Sequence, residues 1–185
     1  SHFRLSAHLL IAFLILSLIF WNYLKINISR KITNKLNIFI PLSFLILVFL
    51  QISIGAFVSG MDAGKIYNSW PLMGNSYFPN DNNFLNLFKI SVFNEPSLVQ
   101  FIHRNLAYVI GLFYLYIFYN IYKNKKYDLY KTVNILGIFI FLQIILGIFT
   151  IIFGAQIFIA SMHQISSIFL VSTSIYFFFL NTKTN

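Results

Sequence analysis

The residues able to do chemistry in this chain are few and sit in unusual places. His8, His103 and His163 each lie a short way into a long apolar run, and Arg104 follows His103 directly in Leu98-Val99-Gln100-Phe101-Ile102-His103-Arg104. Imidazole can be neutral near pH 7 and still offer a nitrogen lone pair to iron, copper or zinc. Each of the three stands roughly three to six residues past the expected start of its helix. At about 1.5 Å per residue that puts all three at a similar depth. Taken singly, each is equally well a hydrogen-bonded core or interfacial histidine. Together at one depth they read as ligands, and His103 with His163 is the favoured pair. The chain contains no cysteine, and no carboxylate is close to either in sequence. Two imidazoles facing each other therefore suit the axial positions of a haem better than a tetrahedral zinc site. Arg104 either snorkels to the membrane surface or pairs with a haem propionate, and the second is preferred. His2, at the terminus, reads as solvated.

The elements that must position these residues are membrane helices. The 185 residues are 58% hydrophobic, 19% aromatic and only 9% charged, with a mean hydropathy of +0.77. A water-soluble globule is excluded. Five continuous apolar runs, 5–24, 38–59, 98–122, 133–153 and 157–180, are each long enough to cross a bilayer as a helix, and none alternates as a barrel strand would. The expected fold is an all-α polytopic membrane protein with five transmembrane helices.

The net charge of +9 does not point to nucleic acid, because the charges sit in membrane loops. Lys25, Arg30, Lys31 and Lys35 crowd the first connection, and Lys123, Lys125, Lys126 and Lys131 the third. By the positive-inside rule both are cytoplasmic, as is Lys183, and the histidines then lie near the outer face. Segment 60–97, with Trp70, Pro71, Met73 and several tyrosines, reads as a structured outer cap. Asn94-Glu95-Pro96 reads as a helix start with Asn94 able to cap and proline in the first turn. Trp and Tyr near span ends read as interfacial belt residues.

An internal repeat links the spans. Leu50-Gln51-Ile52-x-x-Gly55-x-Phe57 recurs as Leu142-Gln143-Ile144-x-x-Gly147-x-Phe149, and Ser161-Met162-His163-Gln164 is similar to Ser6-Ala7-His8-Leu9. A bundle built from two related halves would leave this trace. Gln51 is expected to hydrogen-bond across helices, and Gly55 with Ser59 to let a neighbouring helix approach. Small residues near the histidines, Ala107 and Gly111 with Tyr114 on one helix and Ser166, Ser167 and Ser174 on the other, leave room for a flat macrocycle.

Several of these stretches resemble the haem A synthase family of the alphaproteobacterial and mitochondrial kind. They are Ala56-Phe57-Val58-Ser59-Gly60-Met61-Asp62-Ala63-Gly64, Tyr67-Asn68-Ser69-Trp70-Pro71-Leu72-Met73-Gly74, the stretch from Leu98 to Arg104, and Met162-His163-Gln164. The resemblance implies eight spans in two pseudo-symmetric halves. It implies oxidation of a haem O methyl to the formyl of haem A for cytochrome c oxidase assembly, by successive hydroxylations and loss of water. It makes His103 and His163 the axial ligands of a haem b. His8 becomes the substrate-haem residue of the other half, its partner histidine lying outside this sequence. On that reading the chain is an amino-terminally truncated fragment, inactive alone. Residues 1–36 would hold the last helix of the first half, and residues 37–185 a haem-binding four-helix bundle with the cap 60–97. The implied partners are haem O, a haem O synthase, an electron donor and membrane lipid, with homo-oligomerisation left open and no nucleic acid. The implied location is a bacterial inner membrane, or the mitochondrial inner membrane in a eukaryote.

Two other classes explain less. A bis-histidine cytochrome b that only carries electrons accounts for the histidines but not for the apolar cap. A transporter would be expected to place ionisable residues at mid-membrane, where only Gln51 and Gln143 lie.

Overall fold

The computed structural model describes residues 1–29 and 32–182, so the loop charges Arg30, Lys31 and Lys183 lie outside the described residues. Five long helices carry the chain: α1 (His2–Asn27), α2 (Phe39–Gly60), α3 (Pro96–Lys123), α4 (Tyr127–Ile152) and α5 (Ile157–Thr182). All five are long and apolar enough to cross a membrane, as a chain that must satisfy its own backbone in hydrocarbon requires. The two histidine helices α3 and α5 have the lowest mean hydropathy of the five, 1.3 and 1.5, because they spend span positions on Gln100, His103, Arg104, His163 and several serines.

Helix boundaries differ from the apolar runs where hydrogen bonding outlasts hydrophobicity. The fourth helix starts at Tyr127 rather than residue 133, taking in Asp128 in its first turn, where an acid is favoured by the helix dipole. The third starts with Pro96 at its first position after Glu95, which caps without a side-chain bond. Asn94 instead closes a short 3-10 turn.

Helices α2, α3, α4 and α5 pack in a cycle, each touching the one before and after it, and α1 lies against α2 and α5. The buried apolar core, including Phe44, Ile117, Ile121, Leu129, Val133, Leu136, Ile175 and Phe179, sits toward the end carrying the short connections 28–38 and 124–126. That end is laced by polar contacts. The Leu36 amide donates to buried Asn181 at 2.9 Å, Lys126 Nζ donates to the Lys35 carbonyl at 2.6 Å, and Thr33 bonds Asp128.

The opposite end carries the α2–α3 connection and the α4–α5 turn. The turn reverses the chain through two consecutive left-handed residues, Gly154 (φ 63°) and Ala155 (φ 57°). The longer connection folds into a cap with 3-10 turns at Ala63–Lys65, Phe84–Phe88 and Ile90–Asn94 and a cis Trp70–Pro71 bond. Asn68 fastens it by donating to the carbonyls of Gly64 (3.0 Å) and Ile151 (2.9 Å), the latter at the end of α4, where it also accepts the Gly154 amide. His2, expected to be solvated, instead packs here: its ring lies 4.4 Å from Phe3 and 5.8 Å from Phe57, and its Nε2 is buried without a partner.

Candidate haem-ligand site

The repeated motif proves to be a repeated contact. Helices α2 and α4 both run toward the cap and carry the glutamine and glycine, whereas α3 and α5 run away from it and carry the histidines. Gln51 Nε2 donates to the His103 carbonyl at 3.1 Å, and Gln143 Nε2 donates to the His163 carbonyl at 3.0 Å. One turn further along, a glycine receives the ring. A Cβ on Gly55 would stand 3.0 Å from His103 Cε1, and one on Gly147 would stand 3.2 Å from His163 Cε1. Only glycine gives either imidazole edge that close a bed.

The second donor of each amide goes to a different place. Gln51 Nε2 also lies 3.3 Å from His103 Nε2, whereas Gln143 Nε2 bonds Ser166 Oγ at 2.5 Å, and Ser166 itself donates to the His163 carbonyl at 3.0 Å. In both histidines Nδ1 is buried and has no partner. An unpaired buried nitrogen is costly, so two of them in matching settings call for a ligand.

Protein covers this region incompletely. From Phe141 to Ile152 on α4, and from Ile157 to Ile165 on α5, no residue is buried, in contrast to the close-packed opposite end. Orphaned imidazole nitrogens, glycine beds and a donor set of two imidazoles without thiolate or carboxylate together fit a haem held by two histidines.

Arg104 is placed differently from the expectation, and His8 stands apart from the pair. Being adjacent to His103, Arg104 points about 100° around the helix from it and enters the cap. Its guanidinium donates to the carbonyls of Ser69 (2.9 Å), Tyr67 (2.9 Å) and Leu72 (3.3 Å), leaving Nε as its free, buried donor. Gln100 donates to the same Tyr67 carbonyl at 3.1 Å, Trp70 donates to Tyr108 at 2.9 Å, and Tyr77 donates to Asn105 at 2.5 Å. The first half of α3 is thus a rack on which residues 67–77 hang. His8 is exposed. Ser6, two residues earlier and so about 200° around the helix, is buried and donates to the Ser53 carbonyl of α2 at 3.0 Å. His8 therefore faces away from α2, and among the described residues no three His, Cys, Asp or Glu side chains converge as a metal site.

The small residues do not all leave space. Tyr114 fills its neighbourhood, donating to the Val133 carbonyl at 3.3 Å with its hydroxyl seated over Gly137, and Ser174 is buried with its hydroxyl on the Leu170 carbonyl of its own helix. The contributions of Ser166, Gly147 and the cap carbonyls were not apparent from residue type. The repeat of Gln51 and Gly55 as Gln143 and Gly147 was the one signal that could have found Gly147.

Fold and site together define a polytopic helical membrane protein with two histidines held in matching settings, a class in which a bound haem is expected. The family model described as COX15-CtaA, cytochrome oxidase assembly protein, matches residues 1–175, and the chain belongs to that family. It is 48% identical over its whole length to a heme A synthase from Pelagibacter ubique, covering 54% of that protein. It is 35% identical to one from Flavobacterium johnsoniae and 37% identical to one from Rickettsia bellii, with 95% of this chain aligned in each case and 53% and 54% of those proteins covered. The chain thus spans about half the length of these relatives. No solved structure matches it.

Proposed function

We propose that this chain is the haem-holding part of a haem A synthase, an oxidoreductase that converts a methyl group of haem O to the formyl group of haem A during cytochrome oxidase assembly. The single observation that carries the reading is the paired arrangement of His103 and His163, each with a buried unpartnered Nδ1, a glycine bed and a glutamine on its backbone. His103 and His163 would be the axial ligands of a haem b, and residues 37–185 the unit that holds it. Bound there, the haem supplies one-electron redox chemistry.

The chain's own residues orient the imidazoles and limit water access. Gln51 and Gln143 fix the helix turns that carry them. The cap, held by Arg104, Gln100 and Asn68, covers the histidine end of the bundle. Arg104 commits three of its five N–H donors to cap carbonyls, so its donors toward a propionate are Nε and the second proton of Nη2. His8, exposed on α1, is proposed to face substrate haem bound with a further part of the full-length protein. The charge distribution supports a histidine end on the outer side of the membrane. Haem O, a haem O synthase and an electron donor are the proposed partners.

Pigment extraction from the purified full-length protein tests this. Haem O and haem A alongside protohaem are expected. Protohaem alone would make the protein an electron-carrying cytochrome b, and absence of haem would overturn both readings.

A further inference from the structure

We propose that Gln51 and Gln143 are positioning residues for His103 and His163, and that Gln51 alone also acts on its imidazole directly; this rests on the two histidines being haem ligands. Each glutamine reaches across a helix–helix contact to a carbonyl that already accepts a helical bond, at 3.1 and 3.0 Å. A further acceptor contact of this kind is unnecessary for the helix, so what it fixes is the turn bearing the histidine. The glycine four residues on, Gly55 or Gly147, lies on the same face of the glutamine's helix and meets the ring edge. Backbone and ring are thereby held at two points one helical turn apart.

The two copies then diverge at the remaining amide proton. In one the amide lies against the imidazole, 3.3 Å from His103 Nε2; in the other its second proton is taken up by Ser166. Groups that contact a ligand histidine set its ring orientation and basicity, and through these the potential of the metal it binds. His163 has a second support, since Ser166 bonds the same carbonyl independently of Gln143. His103 has no such second support, and its ring is in direct contact with the amide. The two axial ligands are consequently inequivalent, and the α2 glutamine governs the more sensitive one.

Low-temperature EPR and redox titration of the full-length haem-loaded protein read this out. Gln51→Leu should shift both the low-field g value and the midpoint potential. Gln143→Leu should shift them less, because Ser166 remains. Ser53→Ala, on the same helix with its hydroxyl on the Phe49 carbonyl, should shift neither. Gly55→Ala is the second variant should Gln51→Leu fail to fold: its Cβ meets the ring at 3.0 Å, so the same g value should move. A wild-type protein without a bis-histidine low-spin signal would overturn the haem reading itself. A wild-type signal left unchanged by Gln51→Leu and by Gly55→Ala would overturn the positioning roles while leaving the ligands intact.

Discussion

The α2–α3 pair and the α4–α5 pair solve the same problem with different surroundings. In both, a glutamine grips a histidine carbonyl and a glycine beds the ring. Past the histidine they part. Arg104 follows His103 and is buried under the cap, whereas Gln164 follows His163 and is exposed beside α1, at a groove also lined by Leu9, Ala12, Leu16 and Ile168. The pairs are also joined differently within themselves, by a long cap in one and by a tight left-handed turn in the other. What the two pairs share is confined to orienting an imidazole. What differs is how the end of the bundle above it is closed. On the proposed reading, the module appears twice because a haem takes two axial imidazoles.

The comparison breaks most severely if the two histidines do not serve one group. His103→Ala and His163→Ala should each abolish a low-spin haem b signal in the full-length protein, and His8→Ala should leave it. Retention of the signal in both of the first two variants would show that the repeated contacts have another purpose.

Next in size is the asymmetry at the following residue. Arg104→Gln gives the first pair the residue of the second and removes three bonds to the cap: the Tyr67 and Leu72 carbonyls keep Gln100 and the Ser69 hydroxyl, while the Ser69 carbonyl loses its donor. A polar group left unsatisfied costs about 1–3 kcal/mol where it is buried. Protease cleavage and amide exchange within residues 61–94 should rise sharply. Gln164→Ala should change neither, since Gln164 is exposed.

A smaller effect is expected where the two pairs meet, at the α3–α4 contact. A Cβ at Gly137 would collide with the Tyr114 hydroxyl, so Gly137→Ala should lower stability by roughly 1–3 kcal/mol, the usual range for overpacking. Adding Tyr114→Phe should recover part of it in a thermal melt. Gly111→Ala, with its nearest neighbour 4.0 Å away, should be neutral or mildly stabilising, as helix propensity favours alanine by about 1 kcal/mol.

The smallest effect lies in the cap alone. Partial burial pushes the Tyr67 phenol pKa up, and Asp81, which accepts its hydroxyl bond at 2.8 Å, adds to the shift. With its folded pKa raised, the contribution of Tyr67 is fully present below the ordinary tyrosine value near 10 and is lost as pH rises through the higher folded value. Cap protection measured by amide exchange should fall in that alkaline range in the wild type, and Tyr67→Phe should remove that component of the fall.

The five helices were legible because an apolar run of this length has one way to satisfy its backbone in hydrocarbon. Their ends were less so, as Tyr127 shows: helical hydrogen bonds continue through polar residues that a hydropathy argument discards. Depth and spacing singled out His103 and His163, and the repeat hinted at the matching glutamine and glycine that surround them. The destination of Arg104 was not, because its acceptors are the carbonyls of Tyr67, Ser69 and Leu72, and every residue has a carbonyl.

His8 and His163 mark the boundary between what each source of information determines. Their local sequences, Ser6-Ala7-His8 and Ser161-Met162-His163, are similar, and each stands six residues into its helix. The sequence by itself determined that both would sit at one depth in a membrane helix, since helical rise and apolar length are local properties. Tertiary structure decided that His163 meets Gly147 while His8 is exposed. Which face of a helix is covered depends on its neighbours. Here α4 brings a glutamine and a glycine to His163, and α2 meets α1 on the side of Ser6 instead.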